Sequence, residues 1–152
     1  MADQFSYPLT FQQGPDSLKD HCLDILGKIG FDSAIVSYFS INKWFRVHVG
    51  IKFPETSLEN LLYRLVIQEN GFAQITDVLN HPSYKFIALK SGAPLIRFIA
   101  AVPIFNYSKV VTGAITVIDG RRREIAEKEI IMLEEFSSSI SRDLQAEKSQ
   151  LI

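Results

Sequence analysis

The hydrophobic pattern of the chain centres on two apolar runs, at residues 94–105 and 110–119. Both runs are apolar at odd and even positions and rich in β-branched residues, which is typical of strands covered on two faces. The segment 106–109 between them has the right length for an antiparallel turn. We therefore predict a β-hairpin buried between two layers. Its polar exceptions are Arg97, Thr112, Thr116 and Asp119, which must pair with each other or face a cavity.

Helical spacing predicts two helices before this hairpin. A first helix is expected over about 17–29, because apolar residues recur one turn apart until Gly30 can end it. Its apolar stripe is Leu18, Cys22, Ile25 and Ile29. A second amphipathic helix is predicted to end at Asn70-Gly71, with a candidate capping box at Thr56 and Glu59. Its stripe is Leu58, Leu61, Leu62, Leu65 and Val66.

Alternation and turn residues predict three further strands. Residues 33–41 and 43–49 read as two strands joined by a tight turn at Asn42, and 72–76 as a short strand that ends at Asp77. After the central hairpin, a near-heptad stripe predicts a C-terminal helix whose last residues, 147–152, fray. This stripe consists of Ile130, Leu133, Ser137, Ile140 and Leu144.

The bulk composition fits one globular domain. A chain of 152 residues with 47% hydrophobic and 22% charged residues can bury a sizeable core but leaves little room for a second domain. We expect an extended N-terminal arm over 1–14 and a single domain over 15–152. The net charge of −1 comes from scattered charges and gives no field favouring nucleic acid. No apolar run reaches the roughly 20 residues of a membrane span, and no signal peptide is evident, so we expect a cytoplasmic protein without a membrane partner.

Candidate catalytic chemistry is sparse. Cys22 is the only cysteine, so neither an internal disulfide nor a cysteine-based metal cluster can form. The histidines, at 21, 48 and 81, fall on different elements without metal-ligand spacing. Hydrolase and phosphate-loop motifs are missing from the sequence. We therefore expect no enzymatic activity and no metal.

The central part of the chain nevertheless resembles a known family. The motifs are Asp77-x-x-x-His81-Pro82, then Gly92-x-Pro94-x-Ile96-Arg97-Phe98-x-Ala100-x-Val102-Pro103, then Gly113-x-x-x-Val117-Ile118-Asp119-x-x-x-Arg123-Glu124-Ile125. In order and spacing they resemble a GAF domain over about 17–144. The resemblance implies an α+β, GAF/PAS-like fold with a central antiparallel sheet of five to six strands. Terminal helices would cover one face, and short helices and loops over 83–92 would close a ligand pocket on the other.

Three ligand classes of that family fit this chain poorly. Phytochrome-like members attach a bilin through a cysteine near the lid, whereas Cys22 lies on the first helix. Cyclic-nucleotide-binding members carry an Asn-Lys-x-x-x-Phe-x-x-x-Asp-Glu motif, and Asn42-Lys43 lacks the later acidic pair. Free methionine sulfoxide reductases of this fold need several cysteines. We therefore expect no cofactor and a small-molecule ligand of unassigned class.

The resemblance also supplies candidate binding residues. The ligand-pocket candidates are Phe72, Thr76, Tyr84, Phe86, Arg97 and Thr116. Each has a structural alternative, because the aromatic residues can be core filler and Arg97 can form an ion pair with Asp119, as can Arg123.

Two functions remain open. The first is a noncatalytic sensory domain that binds a small molecule and relays the signal through its terminal helices to an output domain, such as a histidine kinase or cyclase, in cis or in trans. The alternative is a ligand-free dimerisation or protein-interaction module whose pocket is filled by Tyr84, Phe86 and their neighbours. In both, we expect a homodimer through the terminal helices. The expected dimer residues are Leu18, Ile25, Leu133, Ile140 and Leu144.

Overall fold

The computed structural model describes residues 3–8, 10–52, 57–90 and 96–150, without the side chains at 88, 90 and 147–150. Thr56, Gly92 and Pro94 lie outside the described residues. The strands are β1 Gln12–Gln13, β2 Ser33–Ser40, β3 Lys43–Gly50, β4 Ala73–Ile75, β5 Phe98–Phe105 and β6 Val111–Asp119. The helices are α1 Asp16–Ile29, α2 Ser57–Glu69, α3 Lys85–Lys90 and α4 Glu127–Gln150, with a 3₁₀ turn at Val78–Asn80.

The strands form one six-stranded sheet in the order β1-β3-β2-β6-β5-β4. Every pair is antiparallel except β1 and β3, which run parallel. The predicted central hairpin is β5–β6, and its strands are buried along nearly their whole length. Because successive side chains point to opposite faces, strands that are apolar at both parities need a cover on each side. The fold is α+β, as the sequence predicts.

One face of the sheet is covered by the two terminal helices. Leu18, Cys22 and Ile25 of α1, together with Leu133 and Ile140 of α4, are at most 1% exposed. They pack against alternate residues of the central strands, including Ala34, Val36, Phe98, Ala100, Ile115 and Val117. The helical stripes of the sequence therefore face the core of this chain. Gly30 ends α1 in the left-handed region at φ 79°, as its position predicts.

The opposite face is covered by α2, by the segment around the 3₁₀ turn, and by the N-terminal arm. The stripe of α2 packs on this face as predicted, with Leu58, Leu62 and Val66 fully buried. The arm, here residues 3–8 and 10–14, adds Tyr7 and Phe11 to the same layer. It also contributes β1, a short edge strand that the sequence pattern did not indicate.

Two elements differ from the sequence prediction. The helix α4 continues through Gln150, beyond the point at which we expected fraying. The turn between β2 and β3 involves Ile41 as well as Asn42, at φ 51° and 60°. Two successive left-handed residues form a two-residue hairpin turn, which Asn tolerates well and a β-branched residue does not.

Candidate functional site

The face of the sheet covered by α2 and the N-terminal arm is called the second layer here, and its aromatic residues meet at the arm. The ring of Tyr7 lies against those of Phe11, Trp44 and Tyr63, at centroid distances of 5.2, 5.5 and 5.4 Å. Trp44 Nε1 also donates a hydrogen bond of 2.9 Å to the backbone carbonyl of Asp3. Indole and phenol groups that are buried in this way need a partner for their polar ends. The backbone of the arm provides such a partner, so the arm is an integral part of this layer.

A buried carboxylate lies beneath Tyr7. The Tyr7 hydroxyl donates a hydrogen bond of 2.8 Å to Glu59 Oε1, and it lies 3.3 Å from the hydroxyl of Ser37. Arg46 approaches the same carboxylate with Nε at 3.2 Å and Nη2 at 2.9 Å, and the Glu59 side chain is only 2% exposed. Burial, followed by the charge of Glu59, raises the pKa of Tyr7 well above its usual value. Tyr7 therefore stays a neutral donor, and Arg46 balances the carboxylate charge.

The predicted pocket residues do not converge on one site. Phe72 packs against the core on the α1–α4 face, the opposite side of the sheet from the lid. Phe86 is 63% exposed and so cannot fill a pocket beneath the lid. Tyr84 is half-buried and stacks on His81 at a centroid distance of 4.2 Å. Thr116 is buried on the α2 face, level with Ile35 in the sheet.

The two remaining pocket candidates, Arg97 and Thr76, both lie next to Asp77. Arg97 forms an ion pair with Asp77, with Nη2 2.9 Å from each carboxylate oxygen, so the predicted side-chain pair with Asp119 is wrong. Hydrogen bonds from Asn80 and then from Arg97 lower the pKa of Asp77. Thr76 is exposed and lines an open surface cleft next to Asp77. The ion pair between Arg97 and Asp77 thus stabilises the turn that follows β4.

The space beneath the lid is occupied by apolar side chains. Val78, Ile96 and Ile99 are fully buried here, and Ile75 and Ile118 join the same cluster. They come from the 3₁₀ turn, from strands β4, β5 and β6, and from the segment just before β5, so the turn packs on the sheet. This packing explains why the pocket candidates are dispersed.

Asp119 instead holds the segment that leads into α4. This carboxylate is fully buried and accepts hydrogen bonds from Arg121 Nε at 3.2 Å and Arg123 Nη1 at 3.3 Å. Burial would raise the pKa of Asp119, but these hydrogen bonds reverse the shift and lower it. Arg123 also bonds Glu129 in the first turn of α4 at 3.3 Å. The predicted pair of Asp119 with Arg123 is confirmed, and it fixes the start of the C-terminal helix.

A cavity of about 250 Å³ lies at the other end of α4. Four chain segments border it, and it is open to solvent where Ile41 and Tyr107 are exposed. These segments are the arm, the β2–β3 turn, the β5–β6 turn and the C-terminal half of α4. Its lining residues are Gln4, Phe39, Ser40, Ile41, Asn42, Phe105, Asn106, Tyr107, Thr112, Ser141, Leu144 and Gln145. All twelve of these side chains are uncharged. Aromatic rings line the cavity together with carboxamide and hydroxyl groups, which suits an uncharged ligand that hydrogen-bonds.

Comparison of the sequence with protein-family profiles gives no match, and neither does comparison with curated proteins. Solved structures do match the fold. A domain assigned to a two-component sensor histidine kinase of Sinorhizobium meliloti aligns with a TM-score of 0.66 at 13% identity, covering 90% of this chain and 94% of that one. The GAF domain of an Acinetobacter phosphoenolpyruvate-protein phosphotransferase aligns with a TM-score of 0.65 at 14% identity, covering 88% and 83%.

The protein has the GAF fold. That fold also occurs in an enzyme, since a type II free methionine-R-sulfoxide reductase from Thermoplasma acidophilum aligns with a TM-score of 0.65 at 17% identity, covering 86% of this chain and 92% of that one. In the present chain Cys22 is fully buried, and burial raises the pKa of its thiol to about 12. A thiol in that state is protonated at neutral pH and is a poor nucleophile.

The residues expected at a dimer interface also have a different place in this GAF fold. Leu18, Ile25, Leu133 and Ile140 are buried against the sheet of their own chain, and Leu144 is half-buried at the cavity. A stripe at helical spacing looks the same whether it faces a sheet or a partner helix, so the sequence alone could not separate the two.

The described residues contain no group of three potential metal ligands. Within the same ranges, none of the helices combines the length and the apolar character needed to cross a membrane.

The sequence patterns do not predict two polar regions of this GAF fold. They indicate a helix cap for Glu59, although its carboxylate lies in the core with Arg46 and Tyr7. They give no signal for the cavity as a whole, because its residues come from four segments distant in sequence. One signal was present: Asn42 and Asn106 occupy both hairpin turns, and turns that share one end of a sheet meet in space.

Proposed function

We propose that this chain is a noncatalytic sensory GAF domain that binds a small molecule and relays its binding through α4 to an output domain. The observation that carries the proposal is the position of the cavity. Ser141, Leu144 and Gln145, in the last turns of α4, form one of its walls. A ligand in the cavity therefore touches the helix that leads out of the domain.

The packing of α4 suits this role because its two halves are held differently. Leu133 and Ile140 are fully buried on the sheet, the Ser137 hydroxyl donates to the carbonyl of Pro103, and Arg123 bonds Glu129. Beyond Ile140 the helix is bounded by the cavity, where the Tyr107 hydroxyl lies 3.5 Å from the carbonyl of Gln145. A ligand can therefore shift the distal half about a fixed proximal half, a small movement of the kind that packed helices transmit.

The neighbours support the class of function. Structures of this fold occur in a sensor histidine kinase and in a phosphotransferase, so an output domain with kinase or phosphotransfer chemistry is the natural candidate. Catalysis by a cysteine thiolate, as opposed to other chemistry, is disfavoured, since the only cysteine of the sequence is buried and its thiol is protonated.

An NMR screen of the ¹⁵N-labelled full chain tests the proposal. Mixtures of small neutral, anionic and cationic compounds are added, and amide shifts are mapped. We expect at least one compound to shift amides at the cavity and along residues 141–150. Binding that leaves α4 unchanged would refute the relay, and a screen in which no compound of any charge class binds would refute the sensory function.

The alternative, a ligand-free interaction module, draws on the filled second layer. Tyr7 and Phe11 occupy the layer beside α2, and apolar side chains fill the space beneath the lid. Native mass spectrometry of the gently purified protein separates the two functions and also reports subunit count. A retained noncovalent mass supports the sensor, whereas a homodimer of bare chains that also fails the NMR screen supports the interaction module.

A further inference from the structure

The polar groups around the cavity point to one class of ligand, and this inference rests on the proposed sensory function. Several of these groups are already engaged within the protein. The Thr112 hydroxyl donates to the carbonyl of Phe39 at 2.9 Å. Asn106 Oδ1 accepts from the backbone amides of Ser108 and Val110 at 2.9 and 3.1 Å. These bonds fix the start of β6 against the end of β2 and close the β5–β6 turn, which all border the cavity.

Four carboxamide side chains line the cavity, those of Gln4, Asn42, Asn106 and Gln145, and hydrogen bonds at one end hold two of them, Gln4 and Asn106, in place. Because Asn106 uses Oδ1 to close its turn, its NH₂ group remains as a donor. Gln4 Nε2 donates to the carbonyl of Val111 at 3.4 Å, so Oε1 of the same side chain remains as an acceptor. Both residues line the cavity. These two positioned groups, one donor and one acceptor, are the complement of a primary carboxamide, which itself offers one carbonyl and one NH₂ group.

Aromatic rings form the other part of the wall. Phe39, Phe105 and Tyr107 line the cavity together with Leu144. Flat aromatic side chains in the wall favour a planar ring, and a volume of about 250 Å³ accommodates a single ring with a small substituent. No cation lines the cavity among the described residues, so an anionic ligand would lose its hydration without gaining a counter-charge.

The backbone at the rim is compatible with a binding role, although the hairpin turn itself requires the left-handed conformation. Ile41 is 58% exposed and adopts φ 51°, in the left-handed region. For a β-branched side chain this conformation is strained, and strained residues cluster at binding sites. Glycine would adopt this conformation without strain, whereas Ile41 places an apolar side chain at the edge of the cavity.

We propose that the cavity between the two hairpin turns and the end of α4 binds a neutral aromatic carboxamide, with the Asn106 NH₂ group and Gln4 Oε1 bonding its amide. The ring lies among Phe39, Phe105 and Tyr107. Binding at this position brings the ligand into contact with Leu144 and Gln145, and so with the signalling helix.

An isosteric pair of probes tests the ligand class. Nicotinamide and nicotinate share ring and shape, but nicotinate lacks the NH₂ donor and carries a negative charge at pH 7.5. We expect nicotinamide to shift the amides of Asn42, Tyr107 and Gln145 in an NMR titration of the full chain and to saturate in the millimolar range. Nicotinate is expected to bind at least tenfold more weakly, and so is benzylamine, the cationic probe.

Two variants test the place of binding. Ser141→Leu puts a larger side chain into the cavity and should abolish the shifts, whereas Ser138→Leu, the same change at an exposed position of α4, should leave them intact. Gln4→Met removes the acceptor and should weaken nicotinamide about tenfold, with a dispersed spectrum as the folding control. Shifts confined to other regions, or unaffected by Ser141→Leu, would overturn the site.

The outcomes separate this inference from the sensory function on which it rests. Equal or tighter binding of nicotinate or benzylamine in the cavity would overturn the carboxamide class while leaving a ligand-binding sensor. If none of the three probes binds at concentrations up to 50 mM, the aromatic carboxamide is overturned as the ligand class as well. Only failure of the broad screen over all charge classes would also remove the sensory function.

Discussion

Replacing Glu59 by Gln tests whether the buried carboxylate holds the second layer together. The substitution keeps the size of the side chain and the oxygen that accepts from Tyr7, but it removes the charge that balances Arg46. Arg46 contacts Glu59 at 2.9 and 3.2 Å, and the two side chains are 20% and 2% exposed. The arginine would thus remain mostly buried without its counter-charge.

The expected cost follows from that geometry. Removing one partner of a fully buried pair costs about 3–5 kcal/mol, because the other charge is left uncompensated. The partial exposure of Arg46 allows some hydration, which reduces the expected loss in unfolding free energy to about 2–3 kcal/mol. For a domain of this size, that corresponds to a fall in Tm of about 4–12 °C.

Urea denaturation followed by tryptophan fluorescence measures the loss directly, because Trp44 lies in the same layer. Glu134→Gln, at an exposed position on α4, is the matched control and should change the unfolding free energy by less than about 0.5 kcal/mol. Arg46→Met combined with Glu59→Gln should cost less than the sum of the two single changes. A loss below 0.5 kcal/mol for Glu59→Gln, or strictly additive effects, would refute the interpretation of this pair as a coupled buried unit.

Three further predictions follow from burial. Ile140→Glu should abolish folding, since the Ile140 side chain is fully buried. Ile131→Glu, at a site 49% exposed, should keep the fold. It should also dissociate any homodimer formed through the outer face of α4, which light scattering would show. Cys22 should react with a thiol reagent only after denaturation, and rapid labelling of the native chain would contradict its burial. Burial, with Arg46 and Lys52, lowers the pKa of His48, so the unfolded state protonates first and stability falls as pH drops below about 6.5. His48→Gln should flatten that decline between pH 7.5 and 5.5, and an unchanged urea midpoint profile would refute it.

The fold was predictable because its signals are local and redundant. Strands that are apolar at both parities indicated two covering layers, and the stripes of α1, α2 and α4 supplied the covers. The helical stripes do not show whether they pack on the sheet of their own chain or on a helix of a second copy. Leu133 and Ile140 fit a dimer seam as well as a domain core, and only the sheet beneath them decides between the two.

The candidate site was predictable only in part, for a different physical reason. Asp119 and Arg123 are four residues apart, so their pairing could be anticipated from spacing. Tyr7 and Glu59, by contrast, are 52 residues apart, and their hydrogen bond depends on how the arm crosses the sheet. Polar residues in an irregular arm carry no period, so the sequence offers no measure of where they will pack.

Under the proposed function, the arm also links the cavity thermodynamically to the region around the buried carboxylate. Gln4 lines the cavity, and its backbone carbonyl accepts from Tyr63, the ring against which Tyr7 packs. A ligand that bonds Gln4 must therefore favour the docked arm, and the docked arm must favour the ligand by the same factor. Slower amide hydrogen exchange over residues 3–8 on ligand addition would report this coupling. Conversely, any change at the N-terminus that loosens the arm would lower the affinity of the cavity for its ligand.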